Sequence, residues 1–159
     1  MAYLVGDKIA HPLHGAGVID DIETQRSGGV DKQYYVMRVS HGDILVKIPM
    51  ESSDAIGVRP LMNSEQVQSL LEDISRIEIE MTTNWNKRYR ENMLKIRSGN
   101  LLEVAGVIKG LYMRESGKGL STGERKMLNS ARQILLSELV MVQSYTYDEA
   151  EAQLRQALS

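Results

Sequence analysis

Hydrophobic positions change period once along the chain, and the change falls near residue 60. Before it, short runs rich in β-branched and aromatic residues are punctuated by glycine: Lys8-Ile9-Ala10-His11, Gly17-Val18-Ile19 through Ile22, Tyr34 to Val39, and Ile44 to Ile48. Runs of this length and composition predict strands. In the last of them Ile44, Val46 and Ile48 alternate with Leu45 and Lys47, and His41-Gly42-Asp43 supplies turn chemistry for a hairpin with the Tyr34 strand. Gly15, Gly17, Gly28, Gly29 and Gly57 mark turns or sharp bends. Together these features predict a small, strongly curved antiparallel sheet or barrel of about five strands.

After Pro60 turn residues thin out and helix-start signals repeat. Asn63 with Gln66, Asn100 with Glu103, Ser121 with Glu124 and Thr146 with Glu149 each place a carboxylate or amide three positions after a capping residue. That spacing can satisfy the unpaired N–H groups of a first helical turn, so four helices are predicted, and Asn84 before Trp85 caps a fifth. The segment from Ser121 has the clearest face, with Met127, Leu128, Ala131, Ile134, Leu135, Leu139 and Val142 recurring at three- and four-residue spacing. It is predicted to be the spine of the second region. Ser98-Gly99 and Gly117-Lys118-Gly119 should close the helices before it. The expected fold class is therefore α+β: residues 1–60 as a small antiparallel β unit and residues 61–159 as an all-α domain of four to five helices.

Composition adds little until charge is read locally. The 159 residues carry 19 basic and 21 acidic side chains, the balance of an ordinary soluble protein. Yet Thr82 to Arg97 holds Lys87, Arg88, Arg90, Lys95 and Arg97 against Glu91 alone, and Lys109 to Arg132 holds six cations against Glu115 and Glu124. Two stretches of net +4 in a chain of net −2 leave the remainder at about −10, a division that can focus on a polyanion. Cysteine is absent, which excludes disulfides and thiolate metal sites and fits a reducing cytoplasm. No signal-peptide pattern opens the chain and no apolar run approaches a bilayer span, so a cytoplasmic protein without a membrane partner is expected.

Few residues suggest catalysis. His11 and His14 flank a proline-containing turn and cannot share a helix face, and no carboxylates complete a site with them or with His41, so solvated turn histidines are expected and no metal. Ser116-Gly117-Lys118-Gly119-Leu120-Ser121 lacks the first glycine and the hydroxyl after lysine that a phosphate loop needs. No nucleophile elbow surrounds any serine. Neither an enzyme, a cofactor nor a small-molecule substrate is indicated.

Trp85, the only tryptophan, stands in Thr83-Asn84-Trp85-Asn86-Lys87-Arg88-Tyr89-Arg90. Its helical spacing with Tyr89, Met93 and Ile96 favours a core anchor. Its place at a helix start, with polar neighbours at 86 to 88, favours a contact residue that stacks on an unpaired base while Lys87, Arg88 and Arg90 hold phosphates. Spacing leaves both readings open. Arg125 and Lys126 fall in the first turn of the long helix, where cations oppose the macrodipole; they are either a solvated face or a site for an anionic partner.

Taken with their neighbours, these residues resemble the CarD/CdnL family of bacterial transcription regulators that bind RNA polymerase. Val5-Gly6-Asp7, His11 to Gly17, Ile22-Glu23-Thr24, Tyr34-Tyr35-Val36, Val46 to Pro49 and Gly57-Val58-Arg59 carry the resemblance in the first region, a module also similar to one in transcription-repair coupling factors. Thr83 to Tyr89, Gly119 to Leu128 and Ala131 to Leu135 carry it in the second. The resemblance implies a Tudor-like barrel, related to SH3 folds, that docks on the polymerase β subunit, and a helical domain that contacts promoter DNA. It implies Trp85 as a wedge at the upstream edge of the melted promoter, with Lys87, Arg88, Arg90, Arg125 and Lys126 on the backbone. Relatives place a basic and then an aliphatic residue on the polymerase-facing strand. This chain has Gln25-Arg26-Ser27 there, which shifts the contact or leaves it to Arg26 and Lys47. Ser130 stands where some relatives have lysine, which removes one phosphate contact.

Overall fold

The computed structural model describes residues 2–40, 42, 44–80 and 82–159. Five strands come first: β1 (Lys8–His11), β2 (Gly15–Ser27), β3 (Val30–Val39), β4 (Leu45–Pro49) and, after a single helical turn α1 (Ser53–Ile56), β5 (Arg59–Pro60). They form one antiparallel sheet in the order β4-β3-β2-β1-β5, a Tudor-like β unit. Ile9, Ile19, Tyr35, Met37, Ile48 and Val58 make its core, and the Tyr35 hydroxyl accepts the Tyr3 N–H at 3.0 Å. The β3–β4 turn expected at His41-Gly42-Asp43 includes two residues, His41 and Asp43, that lie outside the described ones. The strands on either side do pair, with Val39 N–H donating to the Ile44 carbonyl at 3.0 Å.

One strand is longer than its sequence suggests. The apolar run ends at Ile22, yet β2 continues to Ser27 and pairs with β3 out to a two-residue Gly28–Gly29 loop, both glycines at positive φ (59° and 79°). A bulge between Ile19 and Asp21 bends the strand where it leaves the core. Beyond Ile22 and its partner Tyr35 the hairpin is held by backbone pairing with no buried side chain, so hydrophobic periodicity has nothing to report there.

Five helices follow: α2 (Ser64–Ser75), α3 (Trp85–Arg97), α4 (Leu101–Gly117), α5 (Thr122–Gln143) and α6 (Tyr147–Leu158). All five anticipated caps form. Asn63 and Thr146 make reciprocal capping boxes with Gln66 and Glu149; Asn84, Asn100 and Ser121 accept first-turn N–H groups. α5 runs through the centre of the helical core, with Met127, Ala131, Leu135 and Leu139 buried against Val67, Ile74, Ile108 and Leu154. Among the described residues no helix is long and apolar enough to cross a membrane.

α5 is also what the sheet docks on. Ser137 and Glu138, adjacent and at most 1% exposed, are polar residues in the middle of a buried helix, and both are spent on the sheet side. Ser137 Oγ accepts the Ala16 N–H at 2.9 Å and donates to the Ile134 carbonyl. Glu138 receives both terminal nitrogens of Arg59 at 2.8 Å and the Met62 N–H at 2.9 Å. Gly15 belongs at this seam because a Cβ there would lie 2.3 Å from Ser137 Oγ. A residual cavity of only about 10 Å³ remains between the two parts.

His11 sits in that seam, which corrects the expectation of a solvated turn histidine: it is 8% exposed, its Nδ1 accepts the Leu13 N–H at 3.1 Å, and only His14 of the pair stays exposed. Burial, reinforced by His14, lowers its pKa from 6.5 to about 4. The unfolded chain therefore takes up a proton between those values that the folded chain refuses. The stability this provides is full above pH 6.5 and is lost as pH falls toward 4. Between pH 7 and pH 4.5 the loss traceable to His11 should be about 2–3 kcal/mol. Urea unfolding should show that much less acid sensitivity in His11→Asn than in the parent, and equal sensitivity would refute the assignment.

Candidate nucleic-acid interface

Trp85 is the first residue of α3, entered through the Asn84 cap, and its side chain is 43% exposed. It is neither core nor free. Its indole stacks on Tyr89 one turn later, with centroids 5.0 Å apart and planes 19° from parallel, and its Nε1–H donates to Ser121 Oγ at 3.2 Å. Ser121 is the cap of α5, so the two helices meet start to start. Both rings lie over Gly123 in the first turn of α5: a Cβ there would meet Tyr89 at 3.4 Å and Trp85 at 3.9 Å.

Arg88 holds this junction from beneath and is the principal correction to the predicted site. The family resemblance places it on DNA backbone. Instead it is 1% exposed, with Nε and Nη2 donating to Glu124 at 2.9 and 3.4 Å and Nη1 to the carbonyls of Thr82 and Thr83. A guanidinium so enclosed cannot reach a phosphate. Glu124, expected to complete a capping box, serves mainly as its counterion, with Arg114 Nε 3.8 Å away. Burial alone would raise the Glu124 pKa, but the Arg88 hydrogen bond and charge, with Arg114 and Ser121, outweigh it and hold the carboxyl below its ordinary value.

The other predicted cations stay outside. Lys87 lies two residues on from Trp85, about 160° around the helix, and pairs loosely with Glu91 at 3.9 Å. Arg90 is exposed, and Arg125 and Lys126 project from the first turn of α5, Arg125 within 3.4 Å of Glu115. Arg90 and Lys126 make no ion pair among the described residues. Sequence reasoning missed Ser121 and Gly123 as supports of the indole and Arg114 as a further cation at the junction. The Gly119-to-Glu124 motif held the signal, but only as a helix start.

The residues assigned to polymerase lie on the projecting β2–β3 hairpin and on β4. Strand alternation divides them. Gln25 and Ser27 share the outer face with Glu23 and Lys47, whose Nζ and Oε2 are 2.9 Å apart, whereas Arg26 points to the opposite face.

The molecule thus joins a β unit bearing an exposed hairpin to a helical unit that presents a braced aromatic among cations. Comparison with known proteins gives its class. Residues 3–62 match the CarD-like/TRCF RID domain, a module that interacts with RNA polymerase, and residues 66–155 match the CarD C-terminal domain. The chain is 32% identical over 144 residues to the "Putative transcription factor YdeB" of Bacillus subtilis (strain 168), covering 91% of this chain and 94% of that one. The chain belongs to the CarD family of transcription regulators.

If Arg88 is a buried counterion, Arg88→Ala strands the Glu124 carboxylate and should cost about 3–5 kcal/mol of unfolding free energy. Lys87→Ala and Arg90→Ala should each stay within about 0.5 kcal/mol. Denaturant titration of the three variants checks this, and a near-neutral Arg88→Ala would be inconsistent with the ion pair.

Proposed function

We propose that this protein stabilises the open complex between RNA polymerase and promoter DNA. Residues 1–60 dock on the polymerase β subunit through the outer face of the hairpin and Lys47. Residues 61–159 bring Trp85 to the upstream edge of the melted promoter, with Lys87, Arg90, Arg125 and Lys126 on phosphates. The place of action is the bacterial cytoplasm, wherever polymerase engages promoters. The observation that carries the reading is Trp85 itself, a large aromatic side chain left 43% exposed yet stacked and hydrogen-bonded from within the protein. Such a ring meets an unpaired base without first having to be ordered.

The energetics suit a tethered factor. Four exposed cations give weak, sequence-independent and salt-sensitive DNA binding, with log K falling by about 0.9 per neutralised phosphate per log unit of salt. Binding to polymerase makes the DNA contact intramolecular, at an effective concentration of about millimolar order, so weak contacts suffice. If Trp85 fits only the melted junction, it binds one promoter state better than the other and shifts the equilibrium toward it. A rival in which the helical unit is a protein adaptor with Trp85 in its core lacks its premise at this exposure.

Trp85→Ala should leave polymerase binding unchanged and shorten open-complex lifetime roughly fivefold or more, the scale of one lost base–aromatic stack. Lys47→Glu should weaken polymerase binding itself. An unaltered lifetime in Trp85→Ala would rule out the wedge. In the absence of polymerase, raising salt from about 50 to about 200 mM should weaken DNA binding by about two orders of magnitude if all four cations engage phosphates. A flat salt response would remove them from the interface.

A further inference from the structure

Ser121 is a surface residue whose hydroxyl has no spare capacity. Its oxygen accepts the Glu124 N–H at 3.2 Å as the cap of α5, accepts the Trp85 Nε1–H at 3.2 Å, and its own proton points to Glu124 Oε1 at 3.4 Å. A hydroxyl offers two acceptor sites and one donor, so all three are used. Other residue types that favour a helix cap would do less here. Aspartate would place a second negative charge beside Glu124 and has no donor, and glycine caps a helix nearly as well but offers the indole nothing.

The restraints on Trp85 act in different directions. Tyr89 lies against one face of the ring, and Ser121 holds its N–H edge. Glu124 anchors the turn that carries Ser121 through Arg88, which in turn secures the carbonyls of Thr82 and Thr83 on the segment leading into α3. With the face and one edge both taken, rotation about either side-chain torsion of Trp85 must break a contact. Even so restrained, the residue stays 43% exposed.

We infer that Ser121 is the positioning residue for Trp85: its hydroxyl couples the indole to the rigid start of α5, so that the ring is oriented before any partner arrives. This rests on the open-complex reading above and adds that the ring works because it is held, not merely because it is exposed. Ordering a mobile side chain on binding costs a factor of roughly two to ten, and that is the loss expected when the coupling is cut.

The bond can be cut from either side. Ser121→Gly removes the hydroxyl, and with it the acceptor for the indole, while leaving a residue type that the cap position tolerates at little cost; Trp85→Phe keeps Ser121 and the ring stack and removes the donor. Each full-length variant should shorten open-complex lifetime roughly two- to tenfold, less than Trp85→Ala, and the double variant should show no further loss, since both remove one interaction. Ser121→Thr should restore the parent's behaviour. Because Trp85 is the only tryptophan, its anisotropy decay reports the ring directly, and Ser121→Gly should add a nanosecond component that Ser121→Thr lacks. Additive losses in the cycle, or a parent-like decay in Ser121→Gly, would overturn the inference. If Trp85→Ala leaves the lifetime unchanged, the open-complex reading falls instead, and the anisotropy decay alone then decides whether Ser121 holds the ring.

Discussion

Helix α5 carries two carboxylates fourteen residues apart, each at most 1% exposed and each answered by an arginine from another part of the chain. Glu138 takes Arg59 at the end of the sheet, and Glu124 takes Arg88 under the tryptophan. A buried charge is tolerated only when it is paired and hydrogen-bonded, and removing one partner costs about 3–5 kcal/mol. The two pairs therefore admit few alternative arrangements. Fourteen residues span about 21 Å of helix and return to nearly the same face, so α5 acts as a ruler with a fixing point at each end. One end sets the sheet and its hairpin, the other sets the start of α3 and with it Trp85.

That construction matters for the proposed function, in which the protein touches polymerase and promoter DNA at once. A flexible linker between the polymerase-binding unit and the helical unit would spread Trp85 over many positions and lower its effective concentration at any one of them. Here the seam is nearly filled, closed by the Glu138–Arg59 pair and by the Ala16 N–H on Ser137. The distance from hairpin to tryptophan is then a property of packed structure. His11 lies in the same seam in its neutral form, which ties the integrity of the bridge to pH below the physiological range and leaves it unaffected above.

The electrostatic picture also changes once the fold is considered. Counting charges along the sequence makes Arg88 one of the cations around Trp85, equal to Lys87 and Arg90. In the folded protein its charge is cancelled by Glu124 and its contribution is mechanical. The field near Trp85 comes from the exposed cations, with Arg114 close behind at the junction. A local charge count overstates a binding face whenever one of its members is turned inward.

Local physics made much of this protein legible in advance. Strand and helix periods, the change near residue 60, the five caps and the glycine turn at the hairpin tip all depend on neighbours a few residues away, and all were readable from the chain alone. The choice of a tryptophan at a helix start among cations was visible in the same way. Successive residues of a helix are rotated by about 100°, so Lys87, Arg88 and Arg90 point in different directions, but which direction faces α5 depends on a partner more than thirty residues away. The same holds for Glu124, which local spacing assigns to a cap and tertiary packing assigns to an arginine, and for His11, buried in a seam that residues of α4 and α5 help to close. Sequence determined the elements and their chemistry; tertiary structure decided which charges meet solvent, because burial is set by contacts between segments that the chain itself keeps far apart.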